Sequence, residues 1–209
     1  MIHFIWIGEK ENNKFHETPK AWESHGYSVT EWDEGQIIDL MKSERMLKQL
    51  RIFLSLQSNI RKADFARIVV LIAKGGIYMD YDIYPNGNGL HTFSKQDTAL
   101  VLEHGELNGA PIIANGILYS RSAYNPFFVK FLNDNYKETY KSVLEYLGPH
   151  ALTNHLMGWC KAQKILILPA KIMLWEDQLG MAPSFVVSRH LNACSWGGNR
   201  SESNWQDGY

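Results

Sequence analysis

The chain predicts a single α/β domain, and three observations carry that expectation. Residues 61–74 place Phe65, Ile68, Val69 and Ile72 on one stripe at about 100° per residue, the period of a core-facing helix. Gly75-Gly76 follows at once, where a helix end favours a residue free to take a left-handed conformation. Ile77 to Ile83 then alternates as a strand does, with Ile77, Met79, Tyr81 and Ile83 to one side and Tyr78, Asp80 and Asp82 to the other. A chain of 209 residues with 45% hydrophobic content fits one large domain with a sizeable core.

The remaining elements follow in order. Met1 leads directly into a strand at Ile2-His3-Phe4-Ile5. A short helix is expected near Pro19–His25, a second strand over Val29-Thr30-Glu31-Trp32, and a helix from Met41 to Asn59, rich in Leu, Lys, Arg and Gln. Pro85 and Asn86-Gly87-Asn88-Gly89 stop the central strand and open a loop. Strands are expected at Thr98–Glu103 and Ile112–Tyr119, and Asn125-Pro126 starts a helix with a cap and a proline at its first position. Leu144–Cys160 reads as a helix broken at Gly148-Pro149, and Ile165–Leu168 as a short buried strand. No internal repeat or low-complexity linker divides the chain, so 1–209 is one domain; residues after about 197 are a polar tail or a flap.

The chemistry gathers in residues 61–82. Asp64 and Arg67 are three apart and share a helix face. Such a pair is often a surface ion pair worth under about 1 kcal/mol. Asp80 and Asp82, at i and i+2, would stand about 7 Å apart along a strand and repel unless a cation lies between them. Oxygen ligands suit a hard ion, and Mg²⁺ or Mn²⁺ would keep positions for phosphate oxygens and water. The ordinary alternative is a solvated strand end with turn-forming acids. An acid and a base on a helix, then two glycines, then two carboxylates suit a site holding a metal, a diphosphate and a sugar together.

Ala63-Asp64-x-x-Arg67 followed by Gly75-Gly76-Ile77-Tyr78-x-Asp80-x-Asp82 resembles the core signature of the DXD sugar transferases of glycosyltransferase family 32. Ile2-His3-Phe4-Ile5-Trp6-Ile7-Gly8 is similar to the first strand of the related glucosyltransferase core of clostridial toxins, and His190 with Ser195-Trp196 resembles the family's closing segment. The resemblance runs from residue 2 to residue 196, with most of its weight on 61–85. It implies a GT-A fold, Rossmann-like, with a mostly parallel central sheet flanked by helices and the nucleotide at the carboxyl ends of the first strands. By the same resemblance Asp64 and Arg67 would hold the donor sugar's hydroxyls, and Tyr78 would lie near the sugar or phosphates. Asp80 would bridge ribose and metal, Asp82 would ligate the metal, and His190 would be a third ligand. Trp6 would stack on the base, Trp32-Asp33 would edge the nucleotide pocket, and Ser195 and Trp196 would contact the phosphates. The reaction it implies is metal-dependent hexosyl transfer with retention, from a nucleotide sugar to a glycan or lipid-linked saccharide. The toxin-like first strand favours a UDP-hexose and leaves GDP-mannose open. Ala63 stands where the family often has Ser, and 209 residues leave no room for the toxins' helical insertions, which favours a small acceptor.

Two other readings stay open: a metal-dependent phosphatase of the haloacid-dehalogenase type, and a non-catalytic sugar-nucleotide binder. Composition narrows the rest. A net charge of −1 gives no basic field for nucleic acid. Cys160 and Cys194, the two cysteines, have no metal spacing and are expected as free thiols. No signal peptide or spanning segment is expected, which points to the cytoplasm and leaves room for peripheral contact with a membrane. Glu103-His104 after a strand, Asn115 between two apolar runs and Glu176-Asp177 after Trp175 are placed to touch the acceptor or the reacting carbon, while loops also collect such residues for structural reasons. His150 and His155, five apart, do not share a helix face and are not read as a metal pair.

Overall fold

A computed structural model describes residues 1–9, 15–87, 89–107, 109–136, 142–159, 164–176 and 186–190. The strands are β1 (Ile2–Ile5), β2 (Val29–Trp32), β3 (Gly76–Met79), β4 (Ile83–Pro85), β5 (Thr98–Leu107), β6 (Ala110–Ser120), β7 (Ile165–Leu168), β8 (Trp175–Glu176) and β9 (Ser188–His190). The helices are α1 (Thr18–Ser24), α2 (Glu34–Ser43), α3 (Leu47–Ser55), α4 (Asn59–Lys74), α5 (Pro126–Asn135), α6 (Val143–Tyr146), α7 (Pro149–Met157) and α8 (Ala170–Met173).

Six strands form the central sheet in the order β2-β1-β3-β6-β5-β7. β2, β1 and β3 are mutually parallel, β6 runs against both β3 and β5, and β7 is parallel to β5. Five strands therefore share one direction and β6 alone opposes them. Both faces are covered, so neighbouring residues serve two different cores, as a mostly parallel sheet requires. Tyr78, Leu100 and Leu118 point into the core shared with α2 to α7, while Ile77, Met79, Ala99, Val101, Ile117 and Tyr119 point into the other, with Trp22 of α1 and Met173 of α8.

Helix α4 decides where the chemistry goes. It packs on β1, β3 and β6 and is itself covered by α2, α3, α5 and α6. Every residue from Asp64 to Ala73 is buried, as an interior helix must be. Gly75 and Gly76 then reverse the chain with φ of +68° and +87°. A Cβ on Gly75 would come within 2.9 Å of the Ser122 backbone, and one on Gly76 within 2.9 Å of His3 Nε2 and the Met1 carbonyl. The pair is thus needed both for its backbone angles and for the close approach of β3 to β1.

The structure departs from the expected elements in three places. The central strand does not run unbroken to Ile83. It leaves the sheet after Met79, the Ile83 N–H closes a turn onto the Asp80 carbonyl at 3.1 Å, and β4 joins a second sheet in the order β4-β9-β8. The helix expected over Met41–Asn59 is instead α3 between the ends of α2 and α4, because Arg45 takes φ +57° and stops α2. The break expected at Gly148-Pro149 is kept, with α6 capped by Ser142 before it and α7 starting at Pro149 after it. Finally, β7 is a half-exposed sheet edge rather than a buried strand. Among the described residues, no helix is long and apolar enough to cross a membrane.

Candidate active site

The site lies where β1, β2 and β3 end and α4 begins. α4 is interior, so Asp64 and Arg67 meet as a buried pair, Nη2 to Oδ1 at 2.9 Å, rather than as a surface pair. The Arg67 guanidinium stacks 4.6 Å above the Tyr78 ring, donates from Nη1 to the Asn115 carbonyl at 2.6 Å, and reaches to 3.7 Å from Asp80 Oδ1. Asn115 Nδ2 donates to Asp64 Oδ1 at 3.1 Å, and the buried Tyr78 hydroxyl donates to Asp80 Oδ1. One guanidinium thus holds the helix acid, the first motif acid and the irregular middle of β6 together. Its Nε is buried without a hydrogen-bond partner among the described residues.

Burial is the main force on these charges. It pushes the Asp64 carboxyl up to about 6, against the pull of Arg67. Burial also raises Asp80, partly offset by Arg67 and reinforced by Asp82. Burial opposes the Arg67 charge, but Tyr78 and the carboxylates of Asp80, Asp64 and Asp82 outweigh it, so the guanidinium stays protonated.

Asp82 sits beyond the turn, facing β9. The pairing of β4 with β9 sets Ile83 opposite His190, and His190 Nε2 lies 3.4 Å from Asp82 Oδ2. Burial alone would lower His190, yet its hydrogen bond and charge contact with Asp82 raise it. Asp80 just after β3, Asp82 and His190 of β9 are therefore close enough to act on one another's charge. Gly116, opposite Asp80 across the sheet, leaves space that a Cβ would close to 2.8 Å from Asp80 Oδ2. Hard oxygen donors with an imidazole fit Mn²⁺ or Mg²⁺. Among the described residues, no three His, Cys, Asp or Glu side chains group tightly enough to form a metal site by themselves. A cation on the Asp80–Asp82 side would draw its other ligands from phosphate and water.

The second part of the site is a cleft of about 180 Å³ lined by Trp6, His16, Glu31, Trp32, Asp33, Gln36 and Tyr81. Trp6 follows β1, and Trp32 ends β2, so both rings stand at the carboxyl edge of the sheet. Trp32 Nε1 donates to Nδ1 of buried His3 at 3.2 Å, and the other His3 nitrogen meets the Gly75 carbonyl at 3.0 Å. That pattern selects the tautomer with hydrogen on Nε2, and burial lowers His3 to about 4.

Residues 8–99 match the family described as the glycosyltransferase sugar-binding region containing the DXD motif. This region of the chain is thus similar to the DXD-containing glycosyltransferases. Asp80-x-Asp82 lies within the matched span, and this match favours the transferase reading over the phosphatase one. The chain is 30% identical over 143 residues to an uncharacterized glycosyltransferase of Acanthamoeba polyphaga mimivirus, a match covering 64% of this chain and 54% of that protein. Its fold is similar to that of the PaToxG glycosyltransferase, with a TM-score of 0.52 at 18% identity over 74% of this chain and 66% of that one. The chain thus spans little more than half the length of the viral relative and just under two thirds of the solved structure. The shared fold is the expected GT-A arrangement.

Of the residues singled out in the sequence, the fold brings Asp64, Arg67, Tyr78, Asp80, Asp82 and His190 into one neighbourhood and puts Trp6 in the adjoining cleft. Ser195, Trp196, Asp177, Cys160 and Cys194 lie outside the described residues. His155 is enclosed by Phe127, Phe131 and Trp159 and bonds the Phe127 carbonyl. Asn115 proves central to the charge network, and Gly116, His3 and Tyr81 were not recognised in the sequence as parts of the site. The available signals were faint: a histidine inside the apolar run Ile2–Ile5, and Asn-Gly in the middle of an apolar strand.

Proposed function

We propose that the protein transfers a hexose from a nucleotide sugar to a hydroxyl of a glycan or other small acceptor, with Mn²⁺ or Mg²⁺ bound at Asp80 and Asp82. The observation that carries this reading is the buried guanidinium of Arg67 binding Asp64, Asp80 and the Asn115 carbonyl of β6, with an aromatic cleft beside it. Trp6 stacks on the base, and a UDP-hexose is the preferred donor, with GDP-mannose as the alternative. Asp64 and Arg67 hold the pyranose hydroxyls in an attack-ready pose. Tyr78, buried beneath Arg67, positions that group and Asp80. His190 supports Asp82 and serves as a further ligand, and Ser195 and Trp196 contact the phosphates.

A bound divalent cation supplies positive charge to the diphosphate as it leaves, typically worth several kcal/mol. Asp64 is already held by Arg67 and Asn115, which leaves it poorly placed as a nucleophile. The acceptor oxygen therefore attacks the anomeric carbon on the face that the phosphate vacates. The C–O bond to phosphate breaks, the new glycosidic bond forms, and the hydroxyl proton passes to the departing phosphate oxygen, with retention. Hydrolysis of UDP-glucose, UDP-galactose and GDP-mannose, with and without Mn²⁺, tests the reading. Metal-dependent turnover of one donor is expected. Binding without turnover of any donor, with or without candidate acceptors, would make the protein a sugar-nucleotide binder, and a trapped sugar–Asp64 adduct would overturn the same-face attack.

A further inference from the structure

The middle residue of the Asp80-Tyr81-Asp82 motif points away from the two carboxylates. Tyr81 is almost fully buried in the core on the opposite face, where its ring lies 5.1 Å from Phe4. The edge of its ring contacts Trp6 at 5.9 Å and 86°, and its hydroxyl donates to Glu31 Oε2 at 2.8 Å. Trp6, Glu31 and Tyr81 all line the cleft. The turn closed by Ile83 N–H on the Asp80 carbonyl fixes the backbone on which Tyr81 stands. The same short turn thus aims two carboxylates to one side and builds the floor of the cleft on the other.

Glu31 is exposed, and a solvated glutamate on an edge strand ordinarily samples several rotamers. Here one carboxylate oxygen is tied to a buried phenol, which lets the other be aimed. We propose that Tyr81 is a positioning residue that fixes Glu31 as the hydrogen-bond acceptor of the cleft. The ligand it selects is a nucleoside offering an N–H or O–H donor beside a stacked ring. A carboxylate accepts only, so it favours a base N–H edge or a ribose hydroxyl and disfavours a bare carbonyl or phosphate edge. This inference rests on the reading of the cleft as the donor nucleoside site. It adds which residue reads the nucleoside and what holds that residue in place.

The test is calorimetric titration of UDP, GDP and 2′-deoxy-UDP, each with Mn²⁺, into wild type, Tyr81→Phe, Glu31→Ala and Trp6→Ala. Tyr81→Phe removes the hydroxyl and keeps the ring, so the core packing stays; melting temperatures check this. Glu31→Ala is expected to weaken the preferred nucleotide about tenfold, the effect of losing one charge-assisted hydrogen bond. Tyr81→Phe is expected to weaken it by a smaller factor in the same direction, with a near-normal melting temperature. If Glu31→Ala loses the preference for UDP over 2′-deoxy-UDP, the ligand group is the ribose hydroxyl. If it loses the preference between UDP and GDP, the ligand group is the base N–H. Nucleotide binding that needs Trp6 but is unchanged by Tyr81→Phe and Glu31→Ala overturns this inference alone. Absence of nucleotide binding, or binding indifferent to Trp6, overturns the cleft reading on which it stands.

Discussion

The two halves of the site are built in opposite ways. Around Arg67 the polar groups are buried, charged and tied to one another, with Asp64 and Arg67 nearly inaccessible. In the cleft the walls are half-exposed aromatic rings and solvated polar groups, two of them held by a buried neutral partner: Trp32 by His3, and Glu31 by Tyr81. The first half must keep charges in place when water is excluded, which favours a network whose members cannot relax independently. The second needs only a flat slot and one or two directed hydrogen bonds. Removing a member of the first should therefore damage the fold as well as the chemistry. Removing a member of the second should change affinity and leave the fold nearly intact.

The largest effect should come from Arg67→Ala, which leaves the buried Asp64 carboxylate, and the half-buried Asp80 beside it, without their cation. A loss of about 3–5 kcal/mol in urea unfolding is expected, with activity abolished. A loss below about 1 kcal/mol would mean that the cluster is far more solvated than the geometry shows. Asp82→Asn keeps the volume and removes a charge at the edge of the cluster. Donor hydrolysis with Mn²⁺ should fall about 10²–10³-fold, with little change in melting temperature.

The two halves should also respond to pH with opposite signs. His3 is held below its ordinary 6.5, at about 4, so its contribution to stability is complete above pH 6.5 and is lost as pH falls through 4. Asp64 is raised from 3.8 to about 6, so its contribution is complete below pH 3.8 and is lost as pH rises through 6. Each shift corresponds to at most about 3 kcal/mol. From pH 4 to 6.5 the stability gap between wild type and His3→Asn should widen, and the gap between wild type and Asp64→Asn should change in the opposite direction. Parallel profiles in urea titrations would contradict the contrast between the halves.

Smaller effects sharpen the comparison. Gly116→Ala pushes a methyl toward an Asp80 carboxylate that Tyr78 already holds, so turnover should fall about tenfold while stability changes by roughly 1 kcal/mol. Trp6→Ala should weaken nucleotide binding about tenfold through lost stacking, at a smaller cost in stability than Arg67→Ala. A Trp6 variant as unstable as Arg67→Ala would erase the distinction between the two halves.

The charged half was the more legible in the sequence, because its residues crowd into one helix, one glycine pair and one strand end. Asp64, Arg67, Asp80 and Asp82 could be singled out there since ionisable residues beside an apolar run are conspicuous. The cleft was legible mainly through Trp6 and the Trp32-Asp33 edge. His3, Glu31 and Tyr81 bond partners 29 to 72 residues away along the chain, and nothing local marks them as partners. Asn115 was noticed only as one polar residue among several, because its partners Asp64 and Arg67 come from α4.

Local sequence determined the elements and the polarity of each face: apolar periodicity set α4, alternation set β3, and paired glycines set the reversal between them. Tertiary structure decided what those faces meet. Covering α4 on all sides turned an ordinary i,i+3 pair into a buried ion cluster, since the strength of a charge pair depends on the surrounding dielectric and not on spacing alone. Breaking the strand after Met79 let Asp82 meet His190 and sent Tyr81 to Glu31, because a turn's direction is fixed by the sheets that compete for its two ends.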